Sequence, residues 1–445
     1  MSSESLARVK RLIPSSRTTK LLTGIVLAGA LLRVGAACYL GNRVEPIPAA
    51  YDQIFYHDVA LNLLAGRGFS FTRQPWPFIQ PGAPTAYVPF LYELFLAAIY
   101  KVVGVYPLAV RIIQALLCSL MPWLVYKLVQ RVLHGSERWG RRADAISLTA
   151  AAITAFYAYF IFYSAALMTE GLYLLMVSVS LLVTWDLAEA PTGRRWLLWG
   201  AAVGLTILMR QVFMLVAGVL FLYVAWRIGR RFRLAHAAAA VAVIAALILP
   251  WTARNYLAYG RFLLLNSQSG QVFWNANHPD LGTEFEGSPM FPIPVDLEGV
   301  NEAVLDRELM KRGLQEVLEH PGRFVLLSLD RIPRYFWFWP SPRSSLPSNL
   351  ARTLSFGLFL PFMIVGLALS VREWRRWILF YAFILAYTFI HVITWVQVRY
   401  RMPVDLALVP FAALALVTLA DCLAARRATA QAADSGERSG GSPGN

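Results

Sequence analysis

Runs of about twenty apolar residues, the length of helix that crosses a bilayer, recur between Leu21 and Ala425 and leave this chain little choice of fold. In lipid the backbone of such a run must satisfy its own hydrogen bonds, so each run is helical. Of the 445 residues, 57% are hydrophobic and only 15% are charged, which excludes a soluble core. The chain reads as an all-α polytopic membrane protein. Lys and Arg exceed Asp and Glu by 41 − 26 = 15, but the excess sits in short loops between apolar runs. It therefore marks topology and not a nucleic-acid partner. Cys38, Cys118 and Cys422 lie in or beside apolar stretches, with no metal spacing and no disulfide framework. No P-loop, GxGxxG or HExxH pattern is present.

Arg8, Lys10, Arg11, Arg17 and Lys20 make residues 1–20 a basic segment expected in the cytoplasm. No small-residue cleavage site follows, so the first apolar run is expected to be an uncleaved anchor. Ten spans are predicted, at 21–40, 107–126, 143–163, 170–186, 196–209, 212–226, 235–253, 350–371, 377–394 and 403–425. The fifth and sixth are short and flank Arg210 and Gln211, so their full crossing stays open. Arg33, inside the first span, is read as snorkelling to an interface in preference to a buried counter-ion. The apolar stretch 86–103 follows a Pro-rich segment (Pro75, Pro77, Pro81, Pro84, Pro89) and contains Glu93. Counting it as a span would place the basic loop 127–142 outside, so it is predicted to be an interfacial or re-entrant helix. One membrane domain, 21–425, then has outer loops 41–106 and 254–349. Within the second, 302–319 is expected to be helical, and 324–339 to lie on the membrane surface with an aromatic belt from Tyr335 to Trp339. The tail 426–445 is polar, Gly/Ser-rich and expected to be disordered and cytoplasmic.

The first strongly polar stretch after the N-terminal segment is 51–71. There Asp52, Tyr56 and Ala60 recur at i, i+4 and i+8, and so share one helix face before Gly66 and Gly68 stop the helix. The topology brings other polar groups to the same side: Glu170, Arg210, Arg254 with Asn255, and Arg399 with Arg401. Taken singly, the acids read as helix caps and the arginines as interface anchors. As a set they favour a site, because ionisable groups at spans are costly and the arginine fork suits phosphate or carboxylate. His57 and Asp58 adjoin the acid and, with Tyr56 and Asn255, complete the expected substrate pocket. One His beside an Asp is not a metal site. His278 and Asp280 read as loop polar groups, and His391 as a hydrogen-bonded residue inside the bundle.

These residues also carry a family resemblance. D-x-x-x-Y-x-x-x-A (Asp52, Tyr56, Ala60), G-R-G-F (Gly66 to Phe69) and P-T-A-Y-x-P-x-L-Y (Pro84 to Tyr92) resemble bacterial family-39-type glycosyltransferases of the GT-C fold. So do T-E (Thr169, Glu170), P-W-x-x-R-N-Y (Pro250 to Tyr256), N-x-N-x-P (Asn275 to Pro279) and R-Y-R-x-P (Arg399 to Pro403). The order and spacing of these motifs, over about 20–425, carry the resemblance more than any one of them. These enzymes are similar to protein O-mannosyltransferases and lipid A aminoarabinose transferases. The chain departs from the eukaryotic protein mannosyltransferases: Gln53 follows Asp52 where they have a second acid, and no sugar-binding domain is inserted in the outer loop.

The resemblance implies a GT-C-like bundle with an outer re-entrant helix. It also implies transfer of a sugar from a polyprenyl-phosphate donor to a lipid, glycan or protein hydroxyl, outside the cytoplasmic membrane. Asp52 would be the general base and Glu170 would position the acceptor or share that role. Arg254, Arg399, Arg401 and, more weakly, Arg210 would stabilise the phosphate charge. One base and an anionic leaving group suit a single inverting displacement. No cofactor is expected: a pair of carboxylates is too little to argue for a divalent ion, and arginines offer the alternative neutralisation. The rival reading, a transporter or flippase for a lipid-linked anion, calls for mid-span charges and pseudo-symmetric halves, and neither is visible.

Overall fold

The structure, a computed structural model, describes residues 15–46, 51–76, 79–281, 291–342 and 344–439. It is built of helices: α1 (Ser16–Leu40), α2 (Asp52–Leu64), α3 (Phe90–Val103), α4 (Pro107–Cys118), α5 (Met121–Leu133), α6 (Ala143–Phe156), α7 (Ala158–Ala165), α8 (Thr169–Glu189) and α9 (Gly193–Met209). There follow α10 (Phe213–Ile228), α11 (Leu234–Tyr259), α12 (Ser269–Asn277), α13 (Glu302–Glu319), α14 (Pro321–Tyr335), α15 (Leu346–Arg352), α16 (Leu358–Ser370), α17 (Trp374–Ile393) and α18 (Met402–Ser439). Among the described residues extended pairing is limited to an isolated bridge between Ser70 and Pro84.

Seven helical stretches are long and apolar enough to cross a membrane, or eight if the bent pair Gly140–Phe156 and Ala158–Ala165 is one span. Ten spans were expected, and two places account for the difference. Helix α9 has 17 residues, at the short end for a crossing. The stretch Leu346–Ile393 is continuously helical and takes in both the eighth and ninth expected spans. The chain folds back within it, because Ser370 Oγ lies 2.5 Å from Tyr381 Oη. On a straight helix, residues that far apart would be separated by about 16 Å. Gly366 makes the close packing possible: a Cβ there would fall 1.8 Å from the Phe411 carbonyl oxygen of α18. Helix α3, with 14 residues, is only about 21 Å long and too short to span the ~30 Å hydrocarbon core.

The bundle sorts its charges to two ends. At one end the basic loops meet: Arg131 pairs with Asp186, Arg227 with Glu189 and Arg142 with Asp421. Arg376 donates to the carbonyls of His134 and Gly135 there, and Ser136 donates to Glu373. The opposite end carries α2, α3, α12, α13 and α14. Arg8, Lys10 and Arg11 lie outside the described residues.

Three expectations are corrected. Arg33 does not snorkel: it is fully buried, and its guanidinium donates to the carbonyls of Thr154 and Ala155. Those carbonyls lie just before the 51° break between α6 and α7, where the helix can no longer use them. Arg33 is thus a cap for a broken helix. The aromatic belt is split: Tyr335 is buried against His391, whereas Trp337 and Trp339 are exposed. The tail expected to be disordered is helical to Ser439, as its alanine-rich start favours; residues 440–445 lie outside the described residues.

Candidate active site

Two helix starts and two connectors converge at the end away from the basic loops. Asp52 opens α2 and Glu170 lies in the first turn of α8, positions where the helix dipole favours a carboxylate. Gly171 lets α8 begin hard against the end of α7, since a Cβ there would fall 2.6 Å from the Tyr163 carbonyl oxygen. Arg210 follows α9 in extended backbone, φ −151° and ψ 114°. Arg399 belongs to the short turn Val398–Arg401 that precedes α18.

Their side chains form one chain of charges. Arg399 Nη1 donates to Asp52 Oδ2 at 2.8 Å and lies 3.7 Å from Glu170 Oε1. Arg210 Nη1 donates to the same Glu170 oxygen at 3.1 Å. The Tyr400 ring holds both guanidiniums, its centroid 4.9 Å from Arg210 and 5.1 Å from Arg399. The cluster balances two cations against two anions. Glu170 is sealed at 2% exposure, whereas Asp52 is 27% exposed, so the cluster opens to its surroundings at Asp52. Burial pushes the Asp52 carboxyl up, but the charge and hydrogen bond of Arg399, its own backbone N–H and the charge of Arg210 outweigh it. Its pKa ends below the ordinary 3.8, and Asp52 is a carboxylate at neutral pH. Tyr56 Oη reaches Asp52 Oδ1 at 3.5 Å. Burial, together with the Asp52 and Glu170 charges, holds that phenol protonated.

The other expected residues do not join the cluster. His57 and Asp58 leave the Asp52–Tyr56 face of α2. His57 Nδ1 is 2.8 Å from Tyr100 Oη and burial lowers its pKa, so it is neutral. Asp58 accepts from the Thr72 amide at 2.7 Å. Asn255 Nδ2 donates to the carbonyls of Leu263 and Leu265 and shapes the turn after α11. Arg254 donates to the carbonyls of Thr85 and Phe69 and lies over the Trp251 ring at 4.7 Å. It fastens the segment before α3 to α11. Arg401 is fully buried; it donates to Asp405 at 2.8 Å and to the carbonyls of Tyr335 and Trp337 at 3.0 Å. Arg401→Ala is expected to strand Asp405 and cost about 3–5 kcal/mol, the scale of a broken buried pair. Thermal unfolding of the purified protein checks this, and an unchanged midpoint contradicts it.

Three residues were given no part in the expected site. Tyr400 lies inside a motif read only for its arginines. Glu302 Oε2 accepts from the Ala86 amide at 2.9 Å, Ser267 Oγ at 2.7 Å and Tyr259 Oη at 3.3 Å, pinning the same segment as Arg254. Glu93 is fully buried with neither carboxyl oxygen hydrogen-bonded among the described residues, and burial raises its pKa well above the usual range. Among the described residues no group of three or more His, Cys, Asp or Glu could hold a metal ion.

Residues 87–253 match the family model described as dolichyl-phosphate-mannose-protein mannosyltransferase. No curated protein matches the chain significantly. The apo oligosaccharyltransferase of Archaeoglobus fulgidus aligns with a TM-score of 0.54 at 16% identity, over 92% of this chain and 52% of that one. The archaeal oligosaccharyltransferase AglB from the same organism, in complex with an inhibitory peptide and a dolichol-phosphate, gives 0.54 at 16% identity, over 94% and 52%. ArnT from Cupriavidus metallidurans, bound to undecaprenyl phosphate, aligns at 14% identity with a TM-score of 0.47, over 91% of this chain and 60% of that one. The chain spans about half the length of the archaeal enzymes. The chain thus has the GT-C fold of these structures, and its residues 87–253 carry the pattern of the mannosyltransferase family model.

Proposed function

We propose that this chain transfers a sugar from a polyprenyl-phosphate-linked donor to an envelope acceptor hydroxyl. The reaction would take place at the non-cytoplasmic face of the cytoplasmic membrane. The observation that carries the reading is the cluster of Asp52, Arg399, Glu170 and Arg210, drawn from four distant parts of the sequence. Its place opposite the basic loops supports the sidedness, since short Lys/Arg-rich loops stay in the cytoplasm. The dolichol-phosphate held by AglB, which shares the fold, supports the donor class.

The roles follow from exposure and charge. Asp52 is ionised and the most accessible of the four, so it takes the proton of the acceptor hydroxyl as general base. The acceptor oxygen bonds to the anomeric carbon from the face opposite the phosphate, and the carbon–oxygen bond to phosphate breaks. The configuration inverts, and polyprenyl phosphate leaves as an anion without a general acid. Arg399 and Arg210 face the charge that develops on it. Glu170, sealed beneath both guanidiniums, orients them. Arg399 lies between the two carboxylates, 2.8 Å from Asp52 and 3.7 Å from Glu170, and supplies the positive charge there, so transfer is expected to be unchanged by EDTA. A loss restored by added metal contradicts that role for Arg399.

The reading is tested by incubating membranes containing the chain with a panel of radiolabelled polyprenyl-phosphate sugars, then fractionating lipid, glycan and protein. Label moving into one fraction, dependent on Asp52, supports it. No movement from any donor overturns it.

A further inference from the structure

Arg399 holds two kinds of partner. On one edge, Nε donates to Gln397 Oε1 at 2.8 Å and Nη2 lies 3.4 Å from Tyr400 Oη, contacts that need no change during a reaction. On the other, Nη1 donates to Asp52 at 2.8 Å, the carboxylate cast as the proton acceptor. Arg210 differs, because its anion is Glu170, which is sealed from any acceptor.

We propose that Arg399 is handed from Asp52 to the leaving phosphate in the course of transfer, so that one guanidinium couples the base to the leaving group. The inference rests on the transferase reading above. The step balances. The acceptor O–H proton goes to a carboxylate oxygen of Asp52. The acceptor oxygen forms its bond to the anomeric carbon, and the electron pair of the broken carbon–oxygen bond goes to the phosphate. Asp52 thereby loses its negative charge as the phosphodiester, with one charge, becomes a phosphomonoester with two. Before the step the cluster is neutral and has no surplus cation for the donor. After it, the cluster carries one net positive charge facing the stronger anion. Arg399 therefore interacts more strongly with the phosphate in the transition state than in the ground state, which is the condition for raising kcat. The turn Val398–Arg401 suits the exchange, because it fixes Arg399 through its Nε edge and leaves the Nη edge to choose its anion.

The charge state after proton uptake is mimicked by Asp52→Asn. Binding of undecaprenyl phosphate is measured for the purified chain in lipid nanodiscs. Asp52→Asn is expected to bind about tenfold tighter than the wild type, the scale of one hydrogen bond to a charged group. Asp52→Ser should show the same gain, which guards against an Asn amide that still engages Arg399. Arg399→Gln should bind more weakly than the wild type, and adding Asp52→Asn to it should bring no gain. Wild-type binding with no gain in either Asp52 variant overturns the hand-over and leaves the transferase reading standing. An equal gain in the Arg399→Gln background also overturns it, because the effect is then simple relief of repulsion. Absence of binding by every form overturns the donor reading and this inference with it.

Discussion

Asp52→Asn is expected to lower sugar transfer by about 10³-fold, the middle of the range for a positioned general base. Expression, membrane insertion and thermal stability should change little. The substitution keeps the shape of the side chain, and 27% of Asp52 is already exposed, so no charge is stranded in a sealed core. Arg399 retains Gln397, Tyr400 and Glu170 as neighbours. Transfer at the wild-type rate in purified Asp52→Asn removes Asp52 from the role of base. The pH profile carries a second signature. The Asp52 pKa lies below its ordinary value, so the base is lost only as pH falls below the usual carboxylate range. The acid limb of kcat/KM should be absent above about pH 4, the reference value for an Asp carboxyl.

Arg399→Gln is expected to have the next largest effect, a fall in kcat of about 10²–10³, the scale of one lost electrostatic stabiliser at a developing oxyanion. The same change should move the acid limb of the pH profile upward. In the wild type, burial raises the Asp52 pKa and Arg399 is the strongest influence lowering it. With the guanidinium gone, burial prevails and the base protonates at higher pH. A profile for Arg399→Gln with an unshifted acid limb contradicts the contact between the two residues, whatever the size of the rate loss. Arg254→Ala is the contrasting case. Arg254 binds backbone carbonyls of the segment before α3, so its loss should loosen that segment and lower stability.

What the sequence disclosed follows from the physics of each signal. Hydropathy located the apolar helices because lipid permits little else. The count of crossings was less legible, since α9 is short and the stretch Leu346–Ile393 turns back at Val371–Glu373 without leaving helical geometry. Loop charge gave the separation of the basic loops from the cluster. Asp52 and Glu170 were visible as acids at helix starts, but the arginines could not be sorted by type. Arg399 and Arg401 stand two residues apart, and the turn that holds them sends one to Asp52 and the other to Asp405. The i, i+4 spacing of Arg401 and Asp405 was present in the sequence and marks a local pair. Arg33 and Arg254 bind backbone carbonyls, which leave no mark in a sequence. The same holds for Glu302, whose amide, serine and tyrosine partners lie between 35 and 216 residues away.

The central claim is that one pocket, built from Asp52, Glu170, Arg210 and Arg399, receives the lipid-linked phosphate. It is tested most directly by a cryo-electron-microscopy map of the chain with undecaprenyl phosphate in nanodiscs. The phosphate is expected within hydrogen-bonding distance of Arg399 and Arg210, beside Asp52. A phosphate seated at the basic-loop end of the bundle, or at Arg254 away from Asp52, contradicts the account.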